Sequence, residues 1–134
     1  MKPFIEYQKN WLIWALAIAA LLMVCSVARA EQTITASWYN RASCLREGTS
    51  GVMANGKELN DNDYIAASWD YRFGTRLLIT NLLNNKTVEV TVTDRGPAKR
   101  LYKQGRKVDL SFAAMHRLDG IKQGVIPITI EVLK

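Results

Sequence analysis

The segment Thr87-Val88-Glu89-Val90-Thr91-Val92-Thr93-Asp94-Arg95-Gly96-Pro97 alternates valine with polar side chains for seven residues, then stops on four residues of turn chemistry. Alternation with a period of two belongs to a β-strand that buries one face, since a helix would repeat its apolar positions every three or four residues. Glycine and proline then break the pattern. Immediately upstream, Arg76-Leu77-Leu78-Ile79-Thr80-Asn81 reads as a second strand, and Asn84-Asn85 supplies the turn that joins the two into a hairpin.

Working outward, Thr33 to Tyr39 is rich in β-branched and aromatic residues and reads as a strand, whereas Asn40 to Asp63 carries three glycines and no sustained period and reads as a long loop. Tyr64 to Ser68 is a short strand, closed off by Phe73-Gly74-Thr75. Beyond the turn at Pro97 the chain is basic and irregular to Lys107, and Val108 to Leu110 resumes extended structure. Ser111 is a fitting N-cap for a helix over Phe112 to Leu118, where Phe112, Met115 and Leu118 share a face, and Gly120 and Gly124 end it. In Val125 to Leu133 the residues Ile128, Ile130 and Val132 alternate, and Pro127 marks an edge or first strand position. About six short strands with one short helix make a mainly β domain, and a closed barrel is the arrangement that leaves no strand edge exposed.

The chain has 134 residues, enough for one domain, with 18 Lys and Arg against 12 Asp and Glu. Residues 1–30 read as a signal peptide: Lys2 and Lys9 in a polar start, an apolar run from Trp11 to Val27 interrupted only by Ser26, then Ala28-Arg29-Ala30. The competing reading is an uncleaved membrane anchor with Trp11 and Trp14 in the interfacial belt. Cys25 is not read as a lipidation site, because Leu22-Met23-Val24 lacks the small residue such processing needs. Cleavage after Ala30 leaves residues 31–134 as the domain, with 15 basic and 11 acidic side chains and a net charge of +4. The expected location is therefore periplasmic or secreted, with no stable membrane insertion after cleavage.

Cys44 is then the one remaining cysteine and His116 the one histidine, so neither an internal disulfide nor a zinc site of the usual kind is expected. Cys44 is read as a small half-buried side chain rather than a nucleophile. There is no glycine-rich phosphate loop. No metal and no cofactor are expected.

Two acidic residues stand where the strands give way to loops: Asp94, and Asp109 in Val108-Asp109-Leu110-Ser111. Paired carboxylates flanking a sugar are the usual means of cleaving a glycosidic bond. The bland reading is a turn-forming Asp94 and a helix-capping Asp109. From Arg95 to Lys107 six residues of thirteen are basic, with Tyr102 among them. A solvated loop explains that, and so does an electrostatic and stacking surface for an acidic wall polymer. Trp38, Tyr39, Trp69 and Tyr71 offer flat faces to sugar rings or to the core. Nucleic acid is excluded as a partner by export and the modest charge.

Five short strings in this order, Ala36-Ser37-Trp38-Tyr39, Met53-Ala54-Asn55-Gly56-Lys57, Phe73-Gly74-Thr75, Val92-Thr93-Asp94-Arg95-Gly96-Pro97 and Val108-Asp109-Leu110-Ser111, resemble the rare lipoprotein A family. The resemblance covers essentially all of residues 31–134 and implies a six-stranded double-psi β-barrel, the fold also found in expansins. It implies a cell-wall role, since bacterial members of the family include lytic transglycosylases that cleave peptidoglycan glycan strands, preferably strands stripped of peptides, with Asp94 as the catalytic acid and base; septal targeting is not carried over. Ser37, Tyr39, Asn55, Ser68, Arg95 and Asp109 are the residues it assigns to substrate. The protein is expected to work as a monomer.

Three departures from the family pattern bear on this. Ser68 stands where active members carry a histidine, five residues before Phe-Gly-Thr. Met53 replaces a usual threonine beside Ala54-Asn55-Gly56. A lipobox and a carboxy-terminal peptidoglycan-binding repeat are not found. The alternative function is an expansin-like module that binds or loosens the wall without cutting it, and a third is a protein-interaction or inhibitor domain.

Overall fold

The computed structural model describes residues 10–19 and 33–134. The chain divides into two compact units, Met1–Glu31 and Gln32–Lys134. In the first, helix α1 runs over residues 10–19. The expected cleavage point after Ala30 lies outside the described residues. No helix among the described residues is long and apolar enough to cross a membrane.

The second unit holds β1 (Thr35–Tyr39), α2 (Arg41–Arg46), β2 (Ile65–Ser68), β3 (Arg76–Asn81), β4 (Thr87–Asp94), α3 (Lys99–Lys103), β5 (Arg106–Ser111), α4 (Phe112–Arg117) and β6 (Ile126–Val132). The strands close into a double-psi barrel in the order β1-β5-β2-β4-β3-β6. Two pairs are parallel, β1 with β5 and β2 with β4, and the other four are antiparallel. Closure removes the open edge that a sheet of this size would otherwise expose.

The β3–β4 hairpin forms as its alternation predicts. Val88, Val90 and Val92 point inward together with Leu77 and Ile79, and Val108, Leu110, Ile126 and Ile128 complete the core from β5 and β6. Each such side chain contributes about 1.5–3 kcal/mol on full burial. Helix α4 closes one end of the barrel with Ala114, Met115 and Leu118, all fully buried, and starts where Ser111 Oγ accepts from the Ala114 amide. Asn81, buried on β3, donates from Nδ2 to the Leu118 carbonyl at 2.9 Å and fastens this helix to the hairpin.

The barrel adds two short helices to the one expected. Helix α2 lies inside the segment read as loop: Asn40 accepts from the Ser43 amide while the Ser43 hydroxyl answers the Asn40 amide, a reciprocal cap that nucleates a single turn and a half. Helix α3 has no side-chain cap. Both are too short to show an apolar period. Pro127 is the second residue of β6, at the point where that strand changes partner from β1 to β3, so it sits at a corner of the closed barrel and not on an edge.

Candidate active site

In a sheet, residues in register on neighbouring strands share a face, so pairing alone sets out the floor of the site. Ser37 on β1 pairs with Asp109 on β5, Asp109 pairs with Ala67 on β2, and Ala67 pairs with Asp94 on β4. The four make a row across four adjacent strands on the outside of the barrel. Asp94 joins the row through a bulge. Ala66 pairs with Val92 but Ala67 with Asp94, so Thr93 is passed over, and the strict alternation that would have turned Asp94 inward is broken. Thr93 faces outward as well, its hydroxyl 3.3 Å from Met53 Sδ.

Above this row lies a groove of about 490 Å³ lined by Ser37, Tyr39, Asp94, Arg95 and Asp109 of the expected residues. The segment between α2 and β2 forms one wall, where Met53, Leu59 and Ile65 pack with Tyr39 and Cys44. Ala98 and Leu101 of the α3 segment, with Arg106, form part of the lining as well. Gly96 closes tightly over the floor: a Cβ there would stand 3.3 Å from the Ala67 methyl and 3.6 Å from Asp109 Oδ2.

The two carboxyls are held differently. Asp94 Oδ1 accepts from the Ala54 and Arg95 amides, each at 2.8 Å, and Oδ2 accepts from the Tyr39 hydroxyl at 3.2 Å. With Oδ1 taken by two backbone donors, Oδ2 is the oxygen left to exchange a proton. Asp109 Oδ1 accepts a 2.6 Å hydrogen bond from Ser37 Oγ. Burial raises the Asp109 pKa above the usual carboxylate value, against the Ser37 hydrogen bond and the Arg106 charge, with Asp94 and Glu47 adding to the rise. Tyr39 is raised far above its ordinary value, by burial first and then by the charge and hydrogen bond of Asp94, so it remains a hydroxyl donor. Burial also raises the Cys44 thiol, which leaves it a poor nucleophile.

Asp109 lies within β5 and caps no helix, since Ser111 performs that task. Ser68 is fully buried at the end of β2, its hydroxyl accepting from the Asp70 amide and its carbonyl from Arg95 Nη1 at 2.7 Å. Asn55 turns Oδ1 to the Lys57 amide in its own loop and is not among the groove's lining residues. Arg95 also donates to the Tyr71 carbonyl and lies over the Phe73 ring, tying the end of β4 to the β2–β3 loop. Met53, the departure beside Ala54, lines the groove directly. Ala67 is the member of the row that the sequence does not mark, because a small apolar residue in a short strand carries no chemical signal. Trp38 is half-buried: it packs edge-on against Phe112 and against the core, and it also lines the groove. His116 stacks on Phe112, away from Cys44 in the groove. Among the described residues no group of three or more His, Cys, Asp or Glu could hold a metal ion.

The family model described as lytic transglycolase matches residues 31–130. A probable endolytic peptidoglycan transglycosylase RlpA of Aquifex aeolicus is 41% identical over 99 residues, which is 74% of this chain but only 40% of that relative's length. Among solved structures, the Streptomyces papain inhibitor matches with a TM-score of 0.56 at 21% identity, over 76% of this chain and 93% of the inhibitor. A Clavibacter michiganensis expansin matches with a TM-score of 0.54 at 24% identity, over 77% of this chain and 50% of the expansin. At those identities the two structures speak for the fold alone. Five motifs in order, the barrel and the family match agree, and the chain belongs to the rare lipoprotein A-like family of lytic transglycolases.

Proposed function

We propose that residues 31–134 form an exported peptidoglycan lytic transglycosylase domain, periplasmic or secreted after removal of residues 1–30, monomeric, and acting on glycan strands with Asp94 as the single acid and base. The observation that carries this reading is the pair of unlike carboxyls, Asp94 and Asp109, on either side of Ala67 at the floor of one groove.

In the proposed reaction Asp94 Oδ2 gives its proton to the glycosidic oxygen as the bond from that oxygen to the anomeric carbon breaks. The 6-hydroxyl of the same sugar then attacks the anomeric carbon, and its proton passes to Asp94, which restores the acid as the anhydro ring closes. No water enters the products. Tyr39 holds Oδ2 in place throughout. Asp109, whose pKa is raised chiefly by burial, faces the same groove and positions the sugar beside Asp94. Ser37 orients it.

The test is mass analysis of purified glycan strands after incubation with residues 31–134, in which anhydro-muramyl ends are the expected product. The second reading is an expansin-like module that binds glycan without cutting it. Ser68 favours it, because it stands at the position of the family histidine with its side chain buried and engaged. Retained binding to intact sacculi with no anhydro ends would select that reading.

A further inference from the structure

Beside the groove, the loop after β2 and the segment around α3 build a face that the proposed chemistry does not use. Three cations there lie over three aromatic rings: Arg95 at 3.9 Å from the Phe73 centroid, Lys99 at 5.6 Å from Trp69, and Lys107 at 3.6 Å from Tyr102. Trp69 and Phe73 are each 44% exposed, which leaves ring surface on this face open to a ligand. The Trp69 ring is fixed in place, since its Nε1 donates to the Pro97 carbonyl at 2.7 Å. The Tyr102 hydroxyl likewise donates to Asp70.

The charges are not balanced from within. Among the described residues the ion pairs are Arg41–Glu58, Arg76–Glu89 and Lys86–Asp119, and none involves Lys99, Arg100, Lys103, Arg106 or Lys107. Helix α3 reads Lys-Arg-Leu-Tyr-Lys, and its three cations are exposed while Leu101 lines the groove. Like charges gathered on so short a segment repel one another, and an anionic ligand relieves that cost. Rigid exposed rings interleaved with cations suit a ligand that is flat, ring-shaped and acidic.

We propose that this face is a subsite for a carboxylate-bearing sugar of the strand that occupies the groove, with the ring stacked on Trp69 and its carboxylate paired with Lys99 and Lys103. This rests on the reading that the groove takes a glycan, and it names what that glycan must carry outside the cleavage point. Continuity favours the same strand over a separate polymer, because Arg95, Ala98, Leu101 and Arg106 belong to both the basic segment and the groove lining.

The experiment compares two probes on residues 31–134: peptide-free peptidoglycan strands, which carry a lactyl carboxylate on alternate sugars, and the same strands with those carboxyls reduced to alcohols. The unsubstituted domain is expected to bind the acidic strands about tenfold more tightly, and Lys99→Gln/Lys103→Gln to bind both alike, given the modest worth of exposed charge pairs. Trp69→Ala is expected to weaken both probes, and Lys99→Gln/Lys103→Gln to leave the melting temperature unaltered. Equal binding of the two probes by the unsubstituted domain overturns the subsite, and so does a preference that survives in the double lysine variant. Tighter binding of poly(glycerol phosphate) than of acidic strands also overturns it, as the mark of a general polyanion surface. Anhydro ends from both probes at equal affinity would leave the proposed activity standing while removing the subsite. A charge-dependent preference without any cleavage would do the reverse.

Discussion

The Tyr39 hydroxyl donates to Asp94 Oδ2 at 3.2 Å, from a residue 55 positions earlier in the chain and on a strand that does not pair with β4. Among the described residues it is the one side-chain donor on Asp94, and it reaches the oxygen that the backbone amides leave free. Asp94→Asn keeps the shape and the Oδ1 contacts with the Ala54 and Arg95 amides, turns the Tyr39 contact round because Nδ2 donates, and removes the titratable proton. Turnover is expected to fall roughly 100-fold or more with glycan binding retained. Tyr39→Phe, which removes one hydrogen bond and no proton carrier, is expected to cost about three- to tenfold. Steady-state release of anhydro-muramyl products measures both, and full activity in Asp94→Asn would transfer the catalytic role elsewhere.

Ala67 separates the two carboxyls, and Gly96 passes close over it, a Cβ on that glycine standing 3.3 Å from the Ala67 methyl. Ala67→Val is expected to lower turnover by about tenfold or more by displacing the sugar from Asp94. The same change overpacks a buried position at a cost of about 1–3 kcal/mol. Calorimetry at a temperature well below melting, paired with a rate measurement, separates the two effects. An unchanged rate would mean that the sugar does not lie over this row.

Burial raises the Asp109 pKa, so between its unfolded and folded pKa values the native state binds more protons than the unfolded chain. Stability therefore falls as pH rises through that window, and the ionised form is the costly one at neutral pH. Asp109→Asn is expected to raise the melting temperature at pH 7, and the gain is expected to shrink toward pH 3, where both states are protonated. Melting curves across that range test it. A gain that does not vary with pH would assign the effect to packing.

Ser68→His introduces the histidine that the family resemblance implies, at a position that is fully buried. Turnover is expected to rise, and the melting temperature to fall because the larger ring must displace neighbours. No change in turnover in a folded variant would show that the missing histidine does not limit the rate.

For export, amino-terminal sequencing of protein recovered from the periplasm or medium is expected to begin at Glu31, since Ala28 and Ala30 supply the small residues that signal peptidase needs. A chain beginning at Met1 in a membrane fraction would overturn this.

The amino-acid sequence by itself determined the strands, because burial of one face writes a period of two directly into residues such as Val88, Val90 and Val92. It also determined the Ser111 cap, a local contact between near neighbours in the chain, and the family, through five ordered motifs. Only the tertiary structure decided that Asp94 faces the groove. Alternation alone would have turned it inward, and the bulge that reverses it arises from pairing with β2, some 27 residues away. Closure of the barrel likewise set Ser37, Asp109, Ala67 and Asp94 in one row and left Ser68 and Asn55 engaged elsewhere. A site assembled from four strands depends on register between distant segments, and register is a property of the packed barrel that no short window of sequence contains.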